Sequence, residues 1–228
     1  MRRKILKLLG NKLRLVRLLL VVKSSIAGIL LLSISGLYAT EPTVSIYPVS
    51  DSLFVAGDSP YATTNYAVYL GTASVTVVGA GWSPETAELL AQEIKKLTNK
   101  PIGDVIVPDQ IRNTRGGCAY WKRIGANIVS TKLTEQTLER EWTKAGDFTR
   151  KYFTTYPTLP MVLPTKTYGA DFTLENGDIR GLYLRPSHNV DDIFVYFPKQ
   201  KVLYAGSIFI SRLIRSFPAT GQRCMDPD

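Results

Sequence analysis

Histidine is nearly missing from this 228-residue chain, with one copy, and cysteine is scarce, with two. Cys118 and Cys224 stand far apart and outline no disulfide framework, so a pair and two free thiols are both open. Neither has a second Cys or a His at metal-site spacing. No unbroken apolar run reaches the about 20 residues that span a bilayer comfortably. No segment repeats at a fixed short period. At 45% hydrophobic and 21% charged residues, the composition excludes disordered and low-complexity arrays and leaves a globular chain with enough length for a core. Gly116-Gly117 lacks a surrounding G-x-x-x-x-G-K pattern, which excludes a phosphate loop.

Acidic residues are absent from positions 1–39, which carry Arg2, Arg3, Lys4, Lys7, Lys12, Arg14, Arg17 and Lys23. The formal charge of +9 therefore belongs almost entirely to this end, and the remainder is nearly neutral. That distribution argues against a nucleic-acid partner. After Lys23 comes a short apolar core, Ser24 to Gly36, and then Leu37-Tyr38-Ala39 with a small residue at the expected cleavage point before Thr40. The pattern predicts a signal peptide over 1–39 and a folded domain over 40–228. An uncleaved anchor that also uses Leu15 to Val22 is the alternative, although Arg17 interrupts it.

In the body, Val44 to Tyr47, Leu53 to Val55, Ala67 to Leu70 and Val75 to Val78 read as strands separated by turn residues. Ser83-Pro84 predicts a helix start, and Ala87, Leu90, Ala91, Ile94 and Leu97 recur at the spacing of one buried face. Asp104 to Val107 and Asn127 to Ser130 read as strands around a short helix near Ala119 to Ile124. Leu133 to Arg150 reads as a helix with Thr134 as its cap, and the prolines between Tyr156 and Pro164 predict an ordered loop. The last third reads as strands: Asp171 to Leu174, Ile179 to Leu184 after a turn at Asn176-Gly177, Ile193 to Phe197, and Val202 to Ala205. Strands separated by helices, with hairpins at each end, predict an α/β sandwich.

Specific segments carry a resemblance. Val75 to Ala87, with Val75-Thr76-Val77-Val78-Gly79-Ala80-Gly81-Trp82-Ser83-Pro84, is similar to the second-strand signature of metallo-β-lactamases. Gly79, where most of that superfamily has Asp, resembles the carbapenem-hydrolysing, mono-zinc subclass, as do Gly116 to Lys122 and Ile124 to Thr131. Asp147 to Arg150, Pro160 to Pro164, Gly169 to Leu174 and Asp192 to Pro198 continue the match in order, so that it covers Val44 to about Ser207. The resemblance implies an αββα metallo-β-lactamase sandwich, an active site at one edge of the two sheets, a periplasmic monomer, and zinc-dependent hydrolysis of β-lactams. The reading expects the last strand and helices to be lacking.

The same resemblance assigns positions to the metal. Zinc lowers the pKa of bound water and stabilises the anion released as the lactam amide opens. Counting back from Gly116, Asp109 takes the first ligand position, Ile111 the second, Asn113 the place of a metal-binding Asp, and Thr114 the basic or His place beside it. His188 matches a family His, with Asn189 as its substrate-side neighbour. Ser207 falls where a zinc-binding Cys stands, Ile210 where a Lys holds the substrate carboxylate, and Arg215 where an Asn contributes. Ile111 cannot ligate, and an Asn amide brings no charge to offset the cation. The residues therefore predict zinc that is weak or absent and hydrolysis that is lost or impaired. His188 is the candidate general base or residual ligand, Asn189 and Arg215 are the substrate contacts, and Asp109, Asn113 and Ser207 are the remaining metal positions. A non-catalytic periplasmic binding protein and the product of a decayed gene are the alternatives. His188 with Asp191 and Asp192 reads as a strand-end loop of solvated acids rather than a metal nest, and Arg112 and Arg115 as solvated loop arginines.

Overall fold

The computed structural model describes residues 41–59, 65–154 and 156–208. The leader assigned to 1–39, and the positions Ile210, Arg215 and Cys224, lie outside the described residues. β1 (Thr43–Pro48), β2 (Leu53–Ser59), β3 (Asn65–Leu70) and β4 (Val75–Val78) make an antiparallel meander. From β4 the chain crosses through α1 (Pro84–Leu97) to β5 (Ile102–Ile106), which runs parallel to it. Two short helices, α2 (Arg112–Arg115) and α3 (Cys118–Arg123), precede β6 (Asn127–Thr131), parallel to β5. α4 (Lys132–Tyr152) and the proline-containing loop then lead to β7 (Lys166–Tyr168), parallel to β6. These seven strands form one sheet in sequential order. β8 (Phe172–Leu174), β9 (Ile179–Leu182), β10 (Phe194–Phe197) and β11 (Val202–Tyr204) form a second, antiparallel sheet.

β4 shows why the layers stack as they do. Alternate strand residues point to opposite faces, and all four of its residues are buried. Val75 and Val77 pack with Leu90 and Ile94 of α1 and Trp121 of α3. Val78 joins Ile106, Val129, Phe172, Val195 and Phe197 between the two sheets. The described residues thus supply a helical layer and both sheets of the expected sandwich.

Local departures from the sequence reading have local causes. α1 begins as expected: Ser83 N donates to Thr86 Oγ1 (2.9 Å) and Thr86 N to Ser83 Oγ (3.3 Å), a reciprocal cap. Leu97, expected in its core face, is 37% exposed at the helix's final position, one turn beyond the buried Ile94. α4 starts before Leu133 and is capped by Thr131 rather than Thr134. The Thr131 hydroxyl accepts from Thr134 N at 3.1 Å, so the last strand residue doubles as the cap. α2 and β7 have no counterpart in the sequence reading, being only four and three residues long. Cys118, left open as paired or free, is a buried free thiol whose pKa burial pushes up to about 12.

Candidate functional site

Parallel pairing sends the C-terminal ends of β4, β5 and β6 to one sheet edge, where the loops after them meet. The loop after β4 needs glycine. Gly79 (φ 88°) and Gly81 (φ 103°) occupy the left-handed region that side chains disfavour. Between them, Ala80 N donates to Thr114 O at 2.7 Å, and Ala80 O accepts from Trp121 Nε1 at 2.8 Å. The Gly116-Gly117 pair is a close-approach device: a Cβ on Gly116 would lie 1.9 Å from Trp82 O, and one on Gly117 2.0 Å from Ala80 O. Glycine at 79 answers a backbone demand, whatever else it implies about chemistry.

The loop after β5 carries Asp109, which is 1% exposed. Its Oδ1 accepts from Ile111 N at 2.8 Å and from Thr114 Oγ1 at 2.6 Å, an Asx turn that leads into α2. The residue assigned to the first metal position is therefore tied into its own loop. Its Oδ2 faces β11's exit, where a Cβ on Gly206 would lie 3.8 Å away. Burial holds the Asp109 pKa at about 6; the Thr114 and Ile111 hydrogen bonds and the His188 side chain work against that rise, while Asp192 adds to it.

The second sheet brings its own acids to the same place. Ile193 N donates to Pro108 O at 2.9 Å and Thr134 Oγ1 to Asp191 O at 3.3 Å, which docks the loop before β10 onto the β5 and β6 ends. Asp191 is fully buried and Asp192 is 2% exposed. The expectation of solvated acids is thus overturned: docking of the two sheets takes both side chains out of water. Asp192 is well served, accepting from Ser187 Oγ (2.8 Å), Asn189 N (2.5 Å) and Asn189 Nδ2 (3.1 Å). Asp191 is not, since neither carboxylate oxygen has a hydrogen-bond partner among the described residues. Burial, with Asp109 and Asp192 nearby, pushes its pKa up to about 7.

The remaining sequence-assigned positions are scattered in role. His188 is exposed on the loop before β10, close enough to Asp109 to act on it electrostatically. Asn189, assigned to substrate, spends its amide and backbone N–H on Asp192. Asn113 sits half-buried in α2 with Oδ1 unpartnered among the described residues, and Ser207 lies half-buried beside Gly206. Arg215 is outside the described residues. Among the described residues, no three His, Cys, Asp or Glu side chains are grouped to hold a metal ion. The donor types at the assigned positions suit zinc poorly on their own chemistry: an amide, a hydroxyl, an apolar Ile111 and a carboxylate already holding its loop.

The arginine expectation also needs correction. Arg115 is 2% exposed, its guanidinium lying 3.9 Å from the centre of the Trp142 ring. Arg112 is half-buried over Trp82 (5.3 Å) and Phe153 (5.1 Å). Burial lowers the pKa of both. Sequence reasoning treated these as a solvated pair because the aromatic rings that cover them come from α1's entry loop and from α4. The burial of Asp191 is hidden from the sequence in the same way, because the surfaces that cover it come from β5, β6 and the start of α4. The only local hint was that Asp191-Asp192 abut an apolar strand.

Comparisons with known proteins accord with this architecture. No protein-family model matches the chain. It is 28% identical over 193 residues to a curated "Metallo-beta-lactamase type 2" of Elizabethkingia meningoseptica, covering 81% of this chain and 71% of that one. Among solved structures, TMB-1 aligns at a TM-score of 0.59 and 16% identity over 72% of this chain and 69% of that chain. DIM-1 metallo-β-lactamase aligns at 0.59 and 19% over the same shares. A metallo-β-lactamase from Pontibacter korlensis aligns at 0.59 and 18%, over 72% and 71%. At these identities the structural matches speak for the fold.

Proposed function

From the premise that the chain belongs to the metallo-β-lactamase superfamily, we propose that it keeps the family's cleft but not its zinc centre, and acts as a binding protein for a small β-lactam-like molecule. The observation that supports this reading is the state of Asp109. Its Oδ1 is committed to Thr114 and Ile111, while the neighbouring metal positions are Ile111, Asn113 and Ser207. A zinc site wants three or four good ligands, and here His188 stands without them. Any residual hydrolysis would fall to His188 as general base, since it is the chain's one histidine and lies by the cleft.

The reading extends to where the protein works. Bases up to Lys23, a short apolar core and Ala39 support export with cleavage before Thr40 into the periplasm, and the nearly neutral body argues against nucleic-acid partners. Native mass spectrometry of the full chain titrated with zinc, alongside a carbapenem turnover assay, tests the proposal. The expected result is no zinc retained at micromolar metal, no turnover, and saturable lactam binding indifferent to chelator. One retained zinc with turnover would overturn it, and turnover that vanishes in His188→Ala would assign the base.

A further inference from the structure

A cavity opens between the end of α2, the middle of α4 and the segment Tyr156 to Leu159. Its volume is about 130 Å³, ample for a small ion. Arg115 and Tyr156 line it, and Arg150 stands beside Gly146 at its side. Trp142 Nε1 donates to Leu159 O at 3.3 Å, which fastens the segment to α4 and closes that wall.

Two polar atoms of this cavity's lining lack partners among the described residues. Arg115 is 2% exposed and Tyr156 5%. Arg115 Nε and Tyr156 Oη are both buried without a hydrogen-bond partner among the described residues. No carboxylate forms an ion pair with Arg115 among them, and Arg150 is paired to Asp147 Oδ1 (2.5 Å) on the exposed side. A buried cation without a directly paired carboxylate is costly, and the Trp142 ring face and the more distant Asp109 offset only part of that cost. Guanidinium cannot escape by losing its proton under ordinary conditions. What these groups are short of is negative charge and acceptor oxygen in one small space.

We propose that this cavity binds a small oxyanion. Arg115 supplies the buried positive charge, the Tyr156 hydroxyl donates a hydrogen bond, and Arg150 contributes from the rim. The inference does not depend on what the Asp109 cleft binds.

The test is calorimetric titration of the full chain with inorganic phosphate, at constant ionic strength balanced by chloride, followed by sulfate and acetate. Saturable one-to-one phosphate binding is expected. Tyr156→Phe should weaken it about tenfold, the size of one charge-assisted hydrogen bond. This variant deletes a hydroxyl that has no protein partner, so folding is unaffected. Arg115→Met should abolish binding; if that variant does not fold, Arg150→Gln takes its place with a several-fold loss. Tight acetate binding would identify carboxylates as the accepted oxyanions, and preference for phosphate and sulfate would identify tetrahedral ones. No saturable signal from any of the three anions, or equal affinity in wild type and Tyr156→Phe, overturns the proposal.

Discussion

The loop from Asp109 to Arg115 carries a buried acid at one end and a buried base at the other, and the two ends meet their burial differently. At the acidic end, the Asp109 carboxylate takes hydrogen bonds from Ile111 and Thr114, and the Asp191 carboxylate beside it has none among the described residues. Their pKa values sit at about 6 and about 7, so near neutrality each can shed its charge by holding a proton. At the basic end, Arg115 has no such exit. It leans on Trp142 and lines a cavity with the Tyr156 hydroxyl. Equal burial therefore has unequal consequences: a carboxyl adapts through its proton, whereas a guanidinium calls for a partner.

The largest expected effect breaks both ends together. Gly116→Ala would drive a Cβ into Trp82 O and separate the loop after β4 from α2 and α3. We expect more than about 4 kcal/mol of destabilisation, or no folded protein, read by denaturant unfolding. Unchanged unfolding would mean that the glycine pair carries no packing role.

Asp191→Asn isolates the acidic end. Folded Asp191 binds its proton more tightly than an unfolded aspartate, so its contribution to stability is full below the unfolded pKa near 3.8 and is lost as pH rises through about 7. Wild-type stability should fall between about pH 4 and about pH 7 and level off above. Asp191→Asn should flatten that slope and be more stable at high pH by on the order of a few kcal/mol. A variant with the wild-type slope would place the titration elsewhere.

Thr114→Val is the smallest and most selective probe. It removes one donor to Asp109 Oδ1 at a cost of about 1 to 2 kcal/mol, and it should move the Asp109 pKa upward, because that hydrogen bond opposes the rise. Carboxyl chemical shifts followed through pH would show the displacement; a fixed pKa would count against the Asx turn as the reason Asp109 is held.

Much of the sandwich was legible before any coordinates, because period and punctuation are local. Val75 to Val78 reads as a buried strand from its branched residues, and Ser83-Pro84 announces α1 by cap chemistry that needs no distant partner. The sequence does not separate Thr131 from Thr134 as the cap of α4, since two threonines three residues apart offer the same hydroxyl, and the fold uses Thr131. In the cleft, Asp109, Asn113, His188 and Ser207 were named from position along the chain, and the folded molecule shows Asp109 held by its own loop, Asn189 spent on Asp192 and His188 exposed.

Residue types and their spacing determined by themselves the strands, the helix starts, the glycine turns and the poor supply of metal ligands, because each depends on the chemistry of near neighbours. Only the tertiary structure decided which charges lose their water. Asp191 and Asp192 go under when the second sheet docks onto the β5 and β6 ends, and Arg115 goes under when Trp142 and Tyr156 close over it. Desolvation depends on every surface that arrives from elsewhere in the chain, so no local pattern of residues contains it.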